Sequence, residues 1–178
     1  MDLRQKKTLK AINNAYLELR SKKSVTKITV KELCELAEIS KATFYLHYSD
    51  IYDLTEKMQK EIIESICSNI EHPDYIFSSP MDFVTELFYA LRSNIHMIRI
   101  VFSKDYQSAL TKAIEVEIKE RIFAKKSELA DDARFNIFIT FLVNGSFYTY
   151  FENLKRFPEE EIISVSKEMI GNMIKEYR

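Results

Sequence analysis

Apolar residues recur at helical spacing along most of the chain. Leu9, Ile12, Tyr16 and Leu19 step by three, four and three, which predicts a first helix over 4–23. Val30, Leu33 and Ala37 follow at 0, +3 and +7, one face of a shorter helix. Thr29 opens that helix as N-cap, with Glu32 three residues on, the pattern of a capping box. Ala37 is small where two helices must approach closely, and Ile39 is a plug between them. Ser40 then caps Lys41-Ala42-Thr43-Phe44-Tyr45-Leu46-His47-Tyr48, a helix of about two turns. A helix that short does not hold itself together in water, so something packs behind it. Phe44 and Tyr48 are its inward anchors, against Leu33, Leu19 and Ile39. Lys41, Thr43, Tyr45 and His47 splay across the other side, and all can donate hydrogen bonds. Helix, tight turn and second helix is the arrangement that lays its second helix in the DNA major groove.

Farther along, Ser49 or Asp50 caps a fourth helix. Leu54, Met58, Ile62, Ile66 and Ile70 recur every four residues and make it about 20 residues long, ending before Pro73. Its first turn belongs with the N-terminal segment and its last turns with the rest, so it can transmit rotation between them. Residues 72–79 read as a linker. Ser79-Pro80-Met81-Asp82 starts the next helix with a cap, Pro at the first position and an acid at the third. Phe83, Leu87, Leu91, Ile95, Ile98 and Phe102 line its inner face. After a break near 103–105, Leu110, Ile114, Ile118 and Ile122 mark another helix, with Lys112, Glu115, Lys119 and Glu120 on a solvated face.

The segment 131–154 differs. Phe135, Ile137, Phe138, Ile139, Phe141, Leu142 and Val143 are apolar almost all round, so this helix is buried on more than one side. Gly145 and Ser146 lie mid-helix, where Gly costs up to about 1 kcal/mol against Ala and a small residue permits close helix contact. Pro158 opens the last helix, 158–178, with Glu159, Glu160 and Glu161 at its positive end. Ile162, Val165, Met169 and Met173 form one stripe, which Ile163, Ile170, Ile174 and Tyr177 widen. Two successive helices this apolar exceed one monomer's core. They predict a homodimer in which 131–154 and 158–178 pair with the same helices of a second chain. A fully buried central helix in a monomer is the competing interpretation.

Composition sharpens the class. A chain of 178 residues is long enough to bury a proper core. Two Gly and three Pro leave too few turn dipeptides for hairpins, so the chain reads as all-α. The expected organisation is a three-helix helix-turn-helix DNA-binding head over 1–49 and a helical-bundle dimerisation and ligand domain over 50–178. Net charge divides the same way. Residues 1–48 hold ten Lys or Arg against five acids, a balance of +5. The whole chain carries −1, which leaves −6 for the remainder. A basic head suits phosphate neutralisation. Lys6, Lys7 and Lys10 either reach phosphates or form a solvated face.

Other classes find little support. Cys34 and Cys67 make no disulfide framework; Cys34 reads as a small buried residue, with a redox switch as the alternative. Residues 1–10 have charges and no apolar core of a signal peptide. The longest apolar stretch, Ile137–Val143, is interrupted by Thr140 and is far shorter than the roughly 18 residues of a membrane span. A cytoplasmic location and no membrane partner are expected. His47, His72 and His96 show no metal-ligand spacing, and no phosphate loop, nucleophile elbow or paired-Cys motif occurs. Neither enzymatic activity nor a metal or cofactor is expected.

The stretch Thr29 to Leu54 reads T-V-K-E-L-C-E-L-A-E-I-S-K-A-T-F-Y-L-H-Y-S-D-I-Y-D-L. It resembles the helix-turn-helix of the TetR (tetracycline-repressor-like) family of transcriptional regulators. The shared features are the capping Thr, the small residue before the turn, Ser at the second cap, the aromatic pair with its Tyr, and the His-aromatic end. The resemblance covers roughly Lys6 to Glu56 at motif level and is architectural beyond that. Two positions depart from it. Glu38 stands where the family usually has Gly, and is expected in a left-handed conformation at about 1 kcal/mol. Ile51 stands where many members have a Lys, which removes one phosphate contact.

Residue roles follow. Lys41 can pair with guanine O6 and N7, while Ala42 and Thr43 can touch a thymine methyl. Thr29, Ser40, Tyr45 and His47 are better placed for phosphates, which set register without reading sequence. The amides that open helices at Thr29 and Ser40 attract anions. For His47 the alternative is a simple surface histidine. The resemblance implies a homodimer on double-stranded DNA with a near-palindromic operator. It also implies a repressor released from that operator by a small-molecule effector. An activator, or a ligand-independent helical protein–protein module of the same fold, is the alternative. Phe83, Phe88, Tyr89, Phe102, Tyr106, Phe123, Phe138, Phe141 and Tyr148 are either core or effector pocket.

Overall fold

The structure is a computed structural model that describes residues 3–72, 75–102 and 107–175. Pro73, residues 103–105, Tyr106, Tyr177 and the side chain of Ile174 lie outside the described residues. Among those described, helices are the only regular secondary structure. The helices are α1 (Leu3–Lys22), α2 (Val30–Leu36), α3 (Lys41–Tyr45), α4 (Ile51–Ser68), α5 (Tyr75–Ser78), α6 (Pro80–Val101), α7 (Gln107–Phe123), α8 (Ala133–Asn153) and α9 (Glu159–Lys175). Single 3-10 turns at Val25–Lys27 and Ser127–Asp131 join α1 to α2 and α7 to α8. No described helix is long and apolar enough to cross a membrane.

The chain divides into two compact units, residues 1–61 with 96–103 and residues 62–95 with 104–178. The division therefore falls inside α4, twelve residues beyond the 49/50 boundary expected from sequence.

In the first unit, α1 turns Ile12, Ala15, Tyr16 and Leu19 inward, while Leu9 is half-buried. The Tyr16 hydroxyl shares a 2.8 Å hydrogen bond with Thr55 Oγ1, which donates in turn to the Ile51 carbonyl at 2.7 Å. A buried hydroxyl needs such a partner, and here the pair joins α1 to the first turns of α4. Helix α1 packs on α2, and α2 on α3. Leu33 and Phe44 are completely buried in this group. Helix α3 is five residues long, shorter than the span of 41–48 expected. Its dependence on what lies behind it is correspondingly greater.

In the second unit, Ile62 and Ile66 continue the buried row of α4, and Ile70, just beyond its end, is also buried. The expected linker at 72–79 holds a helix instead. In α5, Ile76 is buried, and Phe77 stacks on Phe135 at 5.5 Å under the Lys126 ammonium at 4.1 Å. Two apolar side chains in a polar stretch outweighed its turn-like flanks. The His72 ring stacks on Tyr75 at 4.5 Å and meets Glu86 Oε1 at 2.7 Å, tying the segment before α5 to α6.

Helices α7, α8 and α9 pack in sequence. Arg121 on α7 donates to the Cys67 carbonyl at 2.9 Å, closing the C-terminus of α4. Burial pushes the Cys67 thiol up to about 12 and makes it an inert core residue. The face of α7 expected to be solvated is solvated only in part. Glu115 and Lys119 lie in the seam with α8. Lys119 pairs with Glu115 at 2.7 Å, Asn144 donates to Glu115 Oε2 at 2.9 Å, and the Thr140 hydroxyl donates to Glu115 Oε1. Burial pushes the Glu115 carboxyl up, and these three donors together hold it below its ordinary value. The clue in the sequence was Thr140 and Asn144, polar at i and i+4 within the apolar middle of the helix.

Candidate nucleic-acid interface

The turn between α2 and α3 is built from local geometry. Helix α2 ends at Ala37. Glu38 follows with φ 54°, the one positive φ at a residue other than Gly among the described residues. The Ile39 amide then donates back to the Cys34 carbonyl at 3.0 Å and the Glu38 amide to Glu35 at 3.4 Å. This pair of bonds is a Schellman motif, usually closed by Gly because a Cβ is strained there. Ile39 is half-buried rather than a full plug.

Both helices are capped at their N-termini. Thr29 Oγ1 accepts the Glu32 amide at 3.2 Å, and Ser40 Oγ accepts the Thr43 amide at 3.0 Å. The reciprocal half of the expected capping box is not made; the Glu32 carboxylate pairs with Lys23. Arg20 donates to the Lys23 carbonyl at 3.1 Å, so the end of α1 and the start of α2 are joined through this loop.

Seven residues were expected to contact a ligand. Six lie on the segment from Ser40 to His47, and Thr29 stands apart at the start of α2. Lys41 and Ala42 are exposed. Tyr45 is 56% exposed, its ring edge-on to Phe44 at 5.5 Å. The Thr43 hydroxyl is engaged with Ser40 Oγ at 2.9 Å, so a contact from it requires that bond to be exchanged. His47 is half-buried, with its ring 6.4 Å from that of Tyr48. Phe44 and Tyr48 point inward as expected. Lys6, Lys7 and Lys10 are exposed on α1.

Two residues that the sequence did not single out complete the surface. Lys57, on α4, donates to the His47 carbonyl and to Asp53 Oδ2, both at 3.1 Å, and lies 5.0 Å over the Tyr48 ring. It pins the chain where α3 ends. The Ser49 amide and Lys57 hold the Asp53 carboxyl below its ordinary value, while burial, Glu61 and Asp53 push the Tyr48 hydroxyl up. Ile51 is buried and presents nothing outward, in keeping with the missing Lys there. Leu46, the residue after α3, is 81% exposed. Its spacing gave no signal, because an apolar residue beside Phe44 and Tyr48 reads equally well as core.

A second surface lies on α8 and α9. Ile137 is 67% exposed, Phe141 62% and Met169 66%, with Tyr148, Phe157 and Val165 also exposed. Two adjoining grooves of about 210 and 290 Å³ run along this face, sharing Thr149, Ser166 and Met169. A Cβ on Gly145 would meet nothing within 4 Å, so this glycine is not used for close contact within the chain. Ser166 Oγ is buried with no hydrogen-bond partner.

Of the aromatics weighed for a pocket, Phe83, Phe88 and Phe102 are closed core, Phe123 and Phe138 are half-buried, and Tyr89, Phe141 and Tyr148 are on the surface. Among the described residues no group of His, Cys, Asp or Glu could hold a metal ion. No family model matches the chain, and no curated protein matches it.

Proposed function

We propose that this chain is a sequence-specific DNA-binding transcriptional regulator of the TetR kind, a repressor released by a small-molecule effector. In this reading residues 1–49 are a helix-turn-helix head, α3 is its recognition helix, and α8 and α9 form a two-fold interface between copies. One observation above all supports the head. A Schellman turn and a serine cap set a five-residue helix on a fully buried Phe44, with Lys41, Ala42 and Tyr45 left outward. A helix held only from behind has its other side free for a groove. The +5 charge of residues 1–48 supplies the phosphate attraction that such a head needs.

Dimerisation is supported by the exposed apolar row Ile137, Phe141, Tyr148 on α8 and Val165, Met169 on α9. Contiguous exposed apolar side chains of this kind mark sites where a partner binds. A two-fold pair presents two recognition helices, and successive major grooves on one side of the duplex recur every 34–36 Å or so. The effector and the sign of regulation rest on the family resemblance.

Replacing Tyr45 tests the head. Tyr45→Ala removes an exposed ring, so circular dichroism and native mass stay unchanged while DNA affinity falls by at least about tenfold. A variant that binds duplex DNA as tightly as the parent places the recognition surface elsewhere. Affinity of the parent falls steeply between low and moderate salt, as phosphate contacts require.

A further inference from the structure

The outward side of α3 is two-toned. Lys41 and Tyr45, four residues apart, form one column, which donates hydrogen bonds. Ala42 and Leu46, also four apart, form a second column, which is wholly apolar. Leu46 keeps helical backbone angles (φ −71°, ψ −19°), and its amide donates to the Ala42 carbonyl at 3.2 Å, so the two side chains share a face. The backbone there is fixed rather than loose. The His47 amide donates to Phe44 at 2.9 Å, and Lys57 holds the His47 carbonyl at 3.1 Å. Yet Leu46 is 81% exposed, the most exposed large apolar side chain among the described residues. It adds almost nothing to the core, and its backbone is fixed at the end of the helix.

We propose that Leu46 is a specificity-determining residue that reads the C5-methyl group of thymine, with Ala42 extending the same apolar contact. This rests on the DNA-reading proposal above. The edges of the base pairs in the major groove offer donors, acceptors and a single apolar feature, the thymine methyl. An apolar column on a hydrogen-bonded backbone, between hydrogen-bonding neighbours, matches that feature. Lys41 and Tyr45 beside it supply the contacts that hold the helix in place. Thymine at the position under Leu46 is then preferred over cytosine, which lacks the methyl group.

The test replaces thymine by deoxyuridine, which removes that methyl and leaves the pairing edge intact. Duplexes enriched from a random pool by the full-length chain are resynthesised with one such exchange at a time. The parent loses about three- to fivefold in affinity at one position of each half-site. Leu46→Ala binds the thymine and deoxyuridine duplexes equally at that position, and Leu46→Met, which keeps apolar bulk, restores the difference. Thermal stability of both variants matches the parent, because the side chain packs little. If Leu46→Ala keeps the parent's sensitivity, or the parent shows none at any thymine, Leu46 reads no methyl although the DNA-reading proposal stands. If no duplex is enriched by the parent, the DNA-reading proposal falls and this one with it.

Discussion

Glu38 turns the chain between α2 and α3 with a backbone conformation that its side chain disfavours. A side chain at φ 54° is strained by about 1–2 kcal/mol. Glycine relieves that strain but brings back about 0.5–1 kcal/mol of unfolded-chain entropy. Glu38→Gly is therefore expected to stabilise the protein by roughly 0.5–1 kcal/mol, read from the midpoint of urea unfolding. A lower midpoint would mean that the Glu38 side chain makes a contribution larger than its strain. This conformation was legible through the family resemblance, in which Glu38 stands where Gly is usual. Lys57 was not. It acts on a backbone carbonyl ten residues away, and a carbonyl has no signature in a sequence. Leu46 was hidden for a different reason: periodicity assigns apolar residues to the core, and exposure is decided by where the helix stops.

The elements were read well where one face alone is buried, and less well where a helix has two partners. The rows of α1 and α4 follow the sequence pattern closely, while α6 also buries Val84, Phe88 and Ala90 beside its expected row and leaves Ile95 half-buried. Helix α7 departs from it, because Glu115 and Lys119 turn into the α8 seam and meet Thr140 and Asn144. Helix α5 was missed because Ile76 and Phe77 sit between residues that signal turns. The Glu115 network has a consequence with a definite sign. A carboxyl held below its ordinary value stabilises the fold above the unfolded-chain pKa of about 4.3, and that contribution is lost as pH falls through the lower folded value. Glu115→Gln is expected to cost about 1–2 kcal/mol at pH 7, with the difference from the parent shrinking below about pH 4. Denaturation midpoints measured across pH 3–7 check this, and a deficit that stays constant with pH would contradict it.

At the scale of the whole molecule, charge and apolar surface divide the labour. In the proposed function the basic end serves to attract a polyanion, and the exposed row on α8 and α9 serves to attract another copy. Phe141, exposed on a helix otherwise packed against α7 and α9, is the residue to change. Phe141→Asp is expected to leave helix content unchanged and to turn a two-chain mass into a one-chain mass by light scattering at micromolar concentration. Its DNA affinity should fall by more than about tenfold, because a lone head loses half of its contacts. A parent that is already single contradicts the proposed interface. The excess of apolar residues in 131–154 and 158–178 made this face legible in sequence. The Gly145 gap and the unpartnered Ser166 hydroxyl were not, since both depend on how α8 and α9 meet.

The most direct measurement is selection of duplexes from a random pool by the purified full-length chain, followed by sequencing. The account predicts one enriched motif made of two inverted half-sites, with centres one helical turn of about 10–10.5 base pairs, or a multiple of it, apart. No enrichment, or a single unrepeated element, would contradict it.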